Sequence, residues 1–232
     1  MSGVAELARD RGIVLRTQDH AETDRIAVLL TPRGRLDVLA KGARRLERST
    51  GAVLDPLHVV DVIHYRRRGL HLLKEASLVR TFPEVRGSLE RATAALKALR
   101  WVVDLVPTGA PDDRPYALTL EFLTALDEGL PPLVFTVAYT LRLLSVAGLG
   151  PHLAGCVRCA GTELLTWGPE RGGLLCARCG GRGAPVSARL WRSLDALARL
   201  PLPALARLRL PDEDLADGIA LLHQFRVAQL GR

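Results

Sequence analysis

No stretch of this chain is apolar for the 18 or more residues that a membrane-crossing helix needs. The longest apolar run covers residues 133–147 and is interrupted by Thr136, Thr140, Arg142 and Ser145, so it reads as a buried helix. Aromatic side chains are scarce, and residues 1–80 hold a single one, Tyr65. Lysine is scarcer still: Lys41, Lys74 and Lys97 are the only lysines among 32 basic residues. The N-terminal MSGVAELARD lacks the charged-then-apolar pattern of an export signal, so a cytoplasmic compartment is expected. The spacings of common catalytic sites are missing too, with no Walker-type phosphate loop, no Gly-x-Ser-x-Gly elbow and no His-Glu-x-x-His helix. One dense cluster of carboxylates and histidine exists, Asp19-His20-Ala21-Glu22-Thr23-Asp24. A nuclease-type metal site there would need matching carboxylates on neighbouring strands, and none recur. The segment reads instead as a polar turn in which Thr23 and Asp24 satisfy backbone groups and Glu22 pairs with Arg25. His58, His64 and His71 read as packing or surface residues, and no enzyme is expected.

What the chain does have is positive charge in one place. The formal net charge is +7 and the pI is near 9.8. Residues 1–80 carry 15 basic and 10 acidic side chains, a net of +5, whereas residues 81–232 carry 17 and 15, a net of +2. A basic first third on a near-neutral remainder is the pattern of a polyanion-binding module on a scaffold.

The first 80 residues read as strands. Segments 12–15, 24–31, 35–41, 57–64 and 70–79 are rich in Val, Ile and Leu and are separated by turn chemistry. The third alternates most cleanly, with Leu36, Val38 and Ala40 on one face and Arg35, Asp37 and Lys41 on the other. Thr31-Pro32-Arg33-Gly34 is a hairpin turn, and Arg66-Arg67-Arg68-Gly69 is a second. Five short strands without long intervening helices predict a small closed barrel; the five-stranded OB-fold fits that count, with an SH3-like barrel as the competitor. From Ser88 the apolar period lengthens to three and four, through Leu89, Ala92, Leu96, Leu99 and Val103. Further helices are expected from Pro115 to Gly129, over 133–147, after Ser187, and after Asp212, with Ser187 and Asp212 as caps. The expected architecture is α+β: an OB-fold over 1–80, a helical domain over 81–150 and 185–232, and a cysteine insert over 151–184.

That insert holds all four cysteines. Cys156-Val-Arg-Cys159 and Cys176-Ala-Arg-Cys179 form two CxxC pairs with 16 residues between them, the spacing of a tetrahedral thiolate site. Zinc is the expected ion, one per chain, and a rubredoxin-like iron would take the same ligands. Disulfides are the other reading, and a reducing compartment disfavours them. Four thiolates leave no open position for a catalytic water, so the role is structural. The insert shows no core of its own, so the ion is expected to replace hydrophobic burial. Whether it also touches DNA, through Arg158, Arg171, Arg178 and Arg182, stays open.

Two groups of cations stand out in the first domain: Lys41, Arg44, Arg45 and Arg48 after the third strand, and Arg66, Arg67 and Arg68 in the turn after the fourth, with Arg33 and Arg35 at the hairpin before them. With one aromatic beside them, they predict binding dominated by phosphate contacts rather than stacking.

A family resemblance rests on Gly12-Ile13-Val14-Leu15-Arg16-Thr17, then His20-Ala21-Glu22-Thr23-Asp24-Arg25-Ile26, Leu29-Leu30-Thr31, Gly34, and Ala40-Lys41-Gly42-Ala43-Arg44-Arg45, with Pro56-Leu57 and Arg68-Gly69-Leu70 in support. These resemble the N-terminal signature of the bacterial RecO family, and the order barrel, helices, cysteine insert, helices extends the likeness over essentially the whole chain. The resemblance implies binding of single- and double-stranded DNA, annealing of complementary strands, and work with the ring-forming partner RecR. It also implies loading of RecA onto strands covered by the single-stranded DNA-binding protein SSB, and a place at the nucleoid. By the same analogy Lys41, Arg44, Arg45 and residues 66–68 are DNA-binding candidates, and the helical domain receives the acidic, Phe-ended tail of SSB. Arg142 among Phe135 and Leu141 is the candidate for that tail. A zinc-ribbon RNA-binding or transcription-associated protein is the alternative.

Overall fold

The computed structural model describes residues 6–44 and 50–231. The chain forms two compact units, one up to Gly129 and one from Leu130 onward. That break falls inside residues 81–150, which the sequence pattern groups as one helical stretch.

In the first unit, β1 (Leu7–His20), β2 (Asp24–Thr31), β3 (Gly34–Ala40), β4 (Val59–Tyr65) and β5 (His71–Arg80) close into a barrel in the order β1-β2-β3-β5-β4, with one turn of helix, α1 (Thr50–Val53), between β3 and β4. The β3–β5 seam is the barrel's one parallel pair, and this Greek-key order is that of the OB-fold. β1 extends well beyond the expected 12–15 because it serves two neighbours, pairing with β4 over 7–13 and with β2 over 13–20. Gly12 stands where β1 passes from one partner to the other; a Cβ there would lie 3.0 Å from the Leu30 carbonyl and 3.2 Å from Thr31 Cγ2.

Val14, Ala27, Leu29, Leu36, Val38, Val60 and Val62 fill the barrel interior. Their outward neighbours Ile13, Leu15, Val28 and Leu30 are buried as well. The cause is a layer of helices: α2 (Pro83–Arg86), α3 (Leu89–Leu105) and α4 (Arg114–Asp127) pack together, and α3 and α4 lie on β1 and β2. Burial on both faces explains why these segments read as continuous apolar runs rather than alternating ones. Ser88, where the apolar period changes, caps α3 by accepting from the Arg91 N–H. Asp127 caps α2 from across the helical layer, accepting from the N–H groups of Glu84 at 2.9 Å and Val85 at 3.2 Å.

The second unit is built around α5 (Pro132–Val146), which is buried on most of its surface and packs on α6 (Ala188–Arg199) and, past the short α7 (Leu202–Leu205), on α8 (Asp212–Leu230). Ser187 caps α6, accepting from Leu190 N–H at 3.1 Å. At α8 the expected cap is displaced by one residue: Pro211 holds that position and Asp212 belongs to the first turn, where its charge still favours the positive end of the helix dipole. The cysteine insert carries a small hairpin, β6 (Leu165–Gly168) and β7 (Gly173–Cys176). Contrary to the sequence expectation, it has apolar burial of its own: Leu165, Trp167, Leu174 and Leu175 are buried. The Trp167 ring lies 5.7 Å from that of Phe225 on α8, its Nε1–H donates to the Leu221 carbonyl at 3.2 Å, and Gln229 donates to the Pro169 carbonyl at 2.8 Å. The hairpin base is thus docked on α8 by side-chain packing.

Candidate functional site

Beyond the hairpin base, the four sulfurs converge. The ligand atoms of Cys156, Cys159, Cys176 and Cys179 lie within 4.8 Å of one another, and Cys159 Sγ is 3.7 Å from Cys176 Sγ. Bonds of about 2.3 Å at tetrahedral angles place thiolates roughly 3.8 Å apart, so the donor set fits a zinc-sized ion. The first knuckle closes by tight backbone bonds, Cys156 N–H to the Gly161 carbonyl at 2.8 Å and Ala160 N–H to the Cys156 carbonyl at 2.9 Å. Gly155 turns into it at φ 148°, where a side chain would collide with the Ala160 carbonyl. Backbone N–H groups aim at the Cys156 sulfur, that of Cys176 most strongly, then those of Arg158 and Cys159. They outweigh its desolvation and draw the thiol down to about 6. Cys179 is pushed up to about 12, mainly by hydrogen bonds with the Cys159 and Cys176 thiols. Those opposed shifts describe sulfurs competing for protons around one thiolate; a bound cation ionises all four and removes the competition. Cys156 and Cys176 are buried, Cys179 is half-buried, and Cys159 is exposed.

The Asp19–Asp24 cluster forms the turn between β1 and β2. Asp24 Oδ1 accepts from Gly42 N–H at 2.8 Å, and this bond, with help from Thr23 and against desolvation, holds its carboxyl below the usual range. Arg25 pairs with Asp19 at 3.3 Å rather than with Glu22. Among the described residues the cysteines are the one group of three or more metal-ligating side chains.

Strand direction sorts the cations of the barrel. β2 and β4 run one way and β1, β3 and β5 the other. Arg33 and residues 66–68 therefore share one end, and Lys41 and Arg44 share the opposite end; Arg45 and Arg48 lie outside the described residues. Arg35 is half-buried and engaged, donating to the Val103 carbonyl at 2.7 Å and to Thr108 Oγ1, and it also faces Asp37 at 3.6 Å. Arg44 meets Asp19 at 3.3 Å and the Glu22 carbonyl at 3.1 Å, and Arg66 meets Glu6 at 3.4 Å. Arg67 and Arg68 are exposed, and neither pairs with a carboxylate among the described residues.

Behind that turn lies a network the sequence does not advertise. His64 is 2% exposed and its Nε2–H donates to Asp10 Oδ2 at 2.9 Å, while Arg33 bonds the other oxygen of the same carboxylate. Burial pushes the Asp10 carboxyl up, but the His64 bond and the Arg33 guanidinium outweigh it and hold the group below its usual range. The His71 ring packs edge-on to His64 at 4.9 Å, and its Nδ1 accepts from the Arg67 N–H at 3.4 Å. Burial, then His64 and Arg66, lower its pKa, which keeps the ring neutral and able to accept. The outer wall of β1, β4 and β5 is balanced in charge, with Arg9 and Arg11 facing Asp61 and Glu75 around a shallow groove, and Arg11 and Asp61 joined by two bonds of 2.7 and 2.9 Å.

Two of the three residues expected at a partner's tail are closed off from solvent. Phe135 and Leu141 are each 1% exposed and belong to the core. Arg142 reaches the end of α6, bonding the carbonyls of Leu200 and Leu197 that the helix leaves unpaired. Both of these contacts are to backbone carbonyls.

A five-stranded barrel with cationic ends, joined to helices that carry a four-thiol finger, defines a barrel-and-finger protein whose cysteines form the donor set of a structural metal site. Residues 1–82 match the family model described as Recombination protein O N terminal, and residues 86–232 match Recombination protein O C terminal. The chain belongs to the RecO family. It is 36% identical over 210 residues to the DNA repair protein RecO of Rubrobacter xylanophilus, covering 86% of this chain and 84% of that protein. It is likewise 36% identical over 208 residues to that of Anaeromyxobacter dehalogenans strain 2CP-1, covering 86% and 81%. The counterpart from Roseiflexus sp. strain RS-1 is 31% identical over 223 residues, covering 94% and 79%. No helix among the described residues is long and apolar enough to cross a membrane.

Proposed function

We propose that this protein is a non-catalytic, DNA-binding recombination mediator. It binds single- and double-stranded DNA, anneals complementary strands, and with RecR helps load RecA onto SSB-coated single strands at the nucleoid. The observation that carries the reading is the turn after β4: exposed Arg67 and Arg68, without carboxylate partners among the described residues, on a barrel of a RecO-family chain. Cations already paired inside the protein gain little from a phosphate, because the partner must first be displaced; unpaired ones gain the full counterion release. The helical layer covers the β1–β2 wall and the β1–β4–β5 wall is balanced in charge. The remaining path runs along the β3–β5 seam, from residues 66–68 at one end to Lys41 and Arg44 at the other.

In this reading the four cysteines hold one zinc ion, which supplies a rigid cross-link between the two knuckles and no reactive water. The tail of SSB docks on the second unit at a surface other than Phe135, Leu141 and Arg142. The deciding experiment is strand annealing on SSB-coated DNA with and without the partner ring protein. Annealing that the ring stimulates supports mediation. Equal affinity for RNA and DNA with no annealing supports an RNA-binding role, and cleavage of labelled DNA with Mg²⁺ refutes the non-catalytic assignment.

A further inference from the structure

Each knuckle of the finger carries an arginine at the same place, one residue before its second cysteine: Arg158 before Cys159 and Arg178 before Cys179. Both are exposed, and neither pairs with a carboxylate among the described residues. Both instead lie across to the opposite knuckle. Arg158 Nη1 donates to the Cys179 carbonyl at 3.4 Å. Arg178 lies over the turn that follows Cys159: a Cβ added at Gly161 would stand 3.9 Å from its Nη2 and 3.4 Å from the Cys159 sulfur. It also lines a cavity of about 460 Å³ with Gly161, Thr162, Glu163, Leu164 and Cys176. Both side chains thus reach toward the opposite knuckle, Arg158 through a hydrogen bond and Arg178 by proximity to the turn after Cys159, the exposed ligand.

Charge gives this placement a purpose. A divalent cation on four thiolates has a net charge of −2. Residues 151–184 hold Arg158, Arg171, Arg178 and Arg182 against Glu163 and Glu170, a difference of +2. The loaded finger is therefore near neutral and presents little net attraction to a polyanion. We propose that Arg158 and Arg178 are positioning residues of the metal centre, offsetting the tetrathiolate's negative charge and lacing the two knuckles together, rather than contacts to nucleic acid. This rests on the reading that the cysteines hold a divalent cation. Outer partners of metal ligands are commonly worth 10- to 100-fold in metal affinity. The buried sulfurs of Cys156 and Cys176 have the hairpin to hold them, whereas the exposed edge depends on the two arginines.

The test is zinc transfer from the full chain to a chromogenic chelator, with DNA affinity measured on the same preparations. Arg158→Ala and Arg178→Ala should each weaken zinc retention about 10-fold, and the double variant about 100-fold. Arg→Lys at either position should retain more zinc than Ala, because the charge stays. DNA affinity should not move, and far-ultraviolet circular dichroism should show all variants folded. Unchanged zinc retention in the double variant, or a loss of DNA affinity without loss of zinc, overturns the assignment. A wild-type chain that takes up no zinc refutes the metal reading itself, and that failure is visible before any variant is compared.

Discussion

Arg67 and Arg68 offer the sharpest test of how DNA is held. Both extend from the β4–β5 turn without a carboxylate partner among the described residues, so their replacement removes charge and strands no acid there. On duplex DNA each phosphate neutralised contributes about −0.9 to the slope of log K against log salt. If the double variant Arg67→Ala/Arg68→Ala neutralises two fewer phosphates and the non-electrostatic part is unchanged, its curve converges with that of the wild type near 1 M salt. One decade lower, at 0.1 M, they differ by about 1.8 log units, roughly 60-fold, and at 0.3 M by only about 9-fold. Single strands, at about −0.7 per phosphate, should show roughly 25-fold at 0.1 M. Fluorescence anisotropy titrations between 0.1 and 0.5 M salt measure both slopes. Arg35 is the control. Its guanidinium satisfies the Val103 carbonyl and Thr108 Oγ1, so Arg35→Gln should cost about 1–3 kcal/mol of stability and leave the salt slope unchanged. An unchanged slope in the double variant, or a flattened slope with full stability in Arg35→Gln, refutes the division into engaged and available cations.

Other outcomes follow from the second unit and the barrel end. Cys176→Ser should release the metal and loosen the knuckles, yet Trp167 should stay packed on Phe225, so its emission shifts little; a fully exposed Trp167 spectrum would show that the ion holds the hairpin base too. Arg142→Ala strips a cap from α6 and should lower stability by about 1–2 kcal/mol, with binding of an acidic, Phe-ended peptide unaffected. Full stability combined with loss of that peptide would return the residue to a partner site. The Asp10 carboxyl is held below its usual range in the folded chain, so its contribution is fully present above the unfolded value near 4 and is lost as pH falls through the lower folded value. Urea midpoints should be flat for this group from pH 8 to 5 and fall below about pH 4. Asp10→Asn should flatten that acid limb, and an identical limb in the variant would remove Asp10 as a contributor.

Local chemistry alone settles much of this protein. Strict alternation at Leu36, Val38 and Ala40 defines β3, the Thr31–Gly34 turn joins it to β2, and serines 88 and 187 begin their helices where a hydroxyl can accept the first free N–H. The CxxC pairs need only their spacing, because two residues between thiols suffice for both to face one ion. Tertiary structure decided what depends on partners distant in sequence. β1 is 14 residues long because two different strands take up its backbone, a fact no local period records. Trp167 finds Phe225 across 58 positions, which gives the finger a core that its own segment does not display. Arg35, Arg67 and Arg142 look alike as isolated cations in a sequence. What separates them is whether a carbonyl left over from another element lies within reach, and that is fixed only when the chain folds.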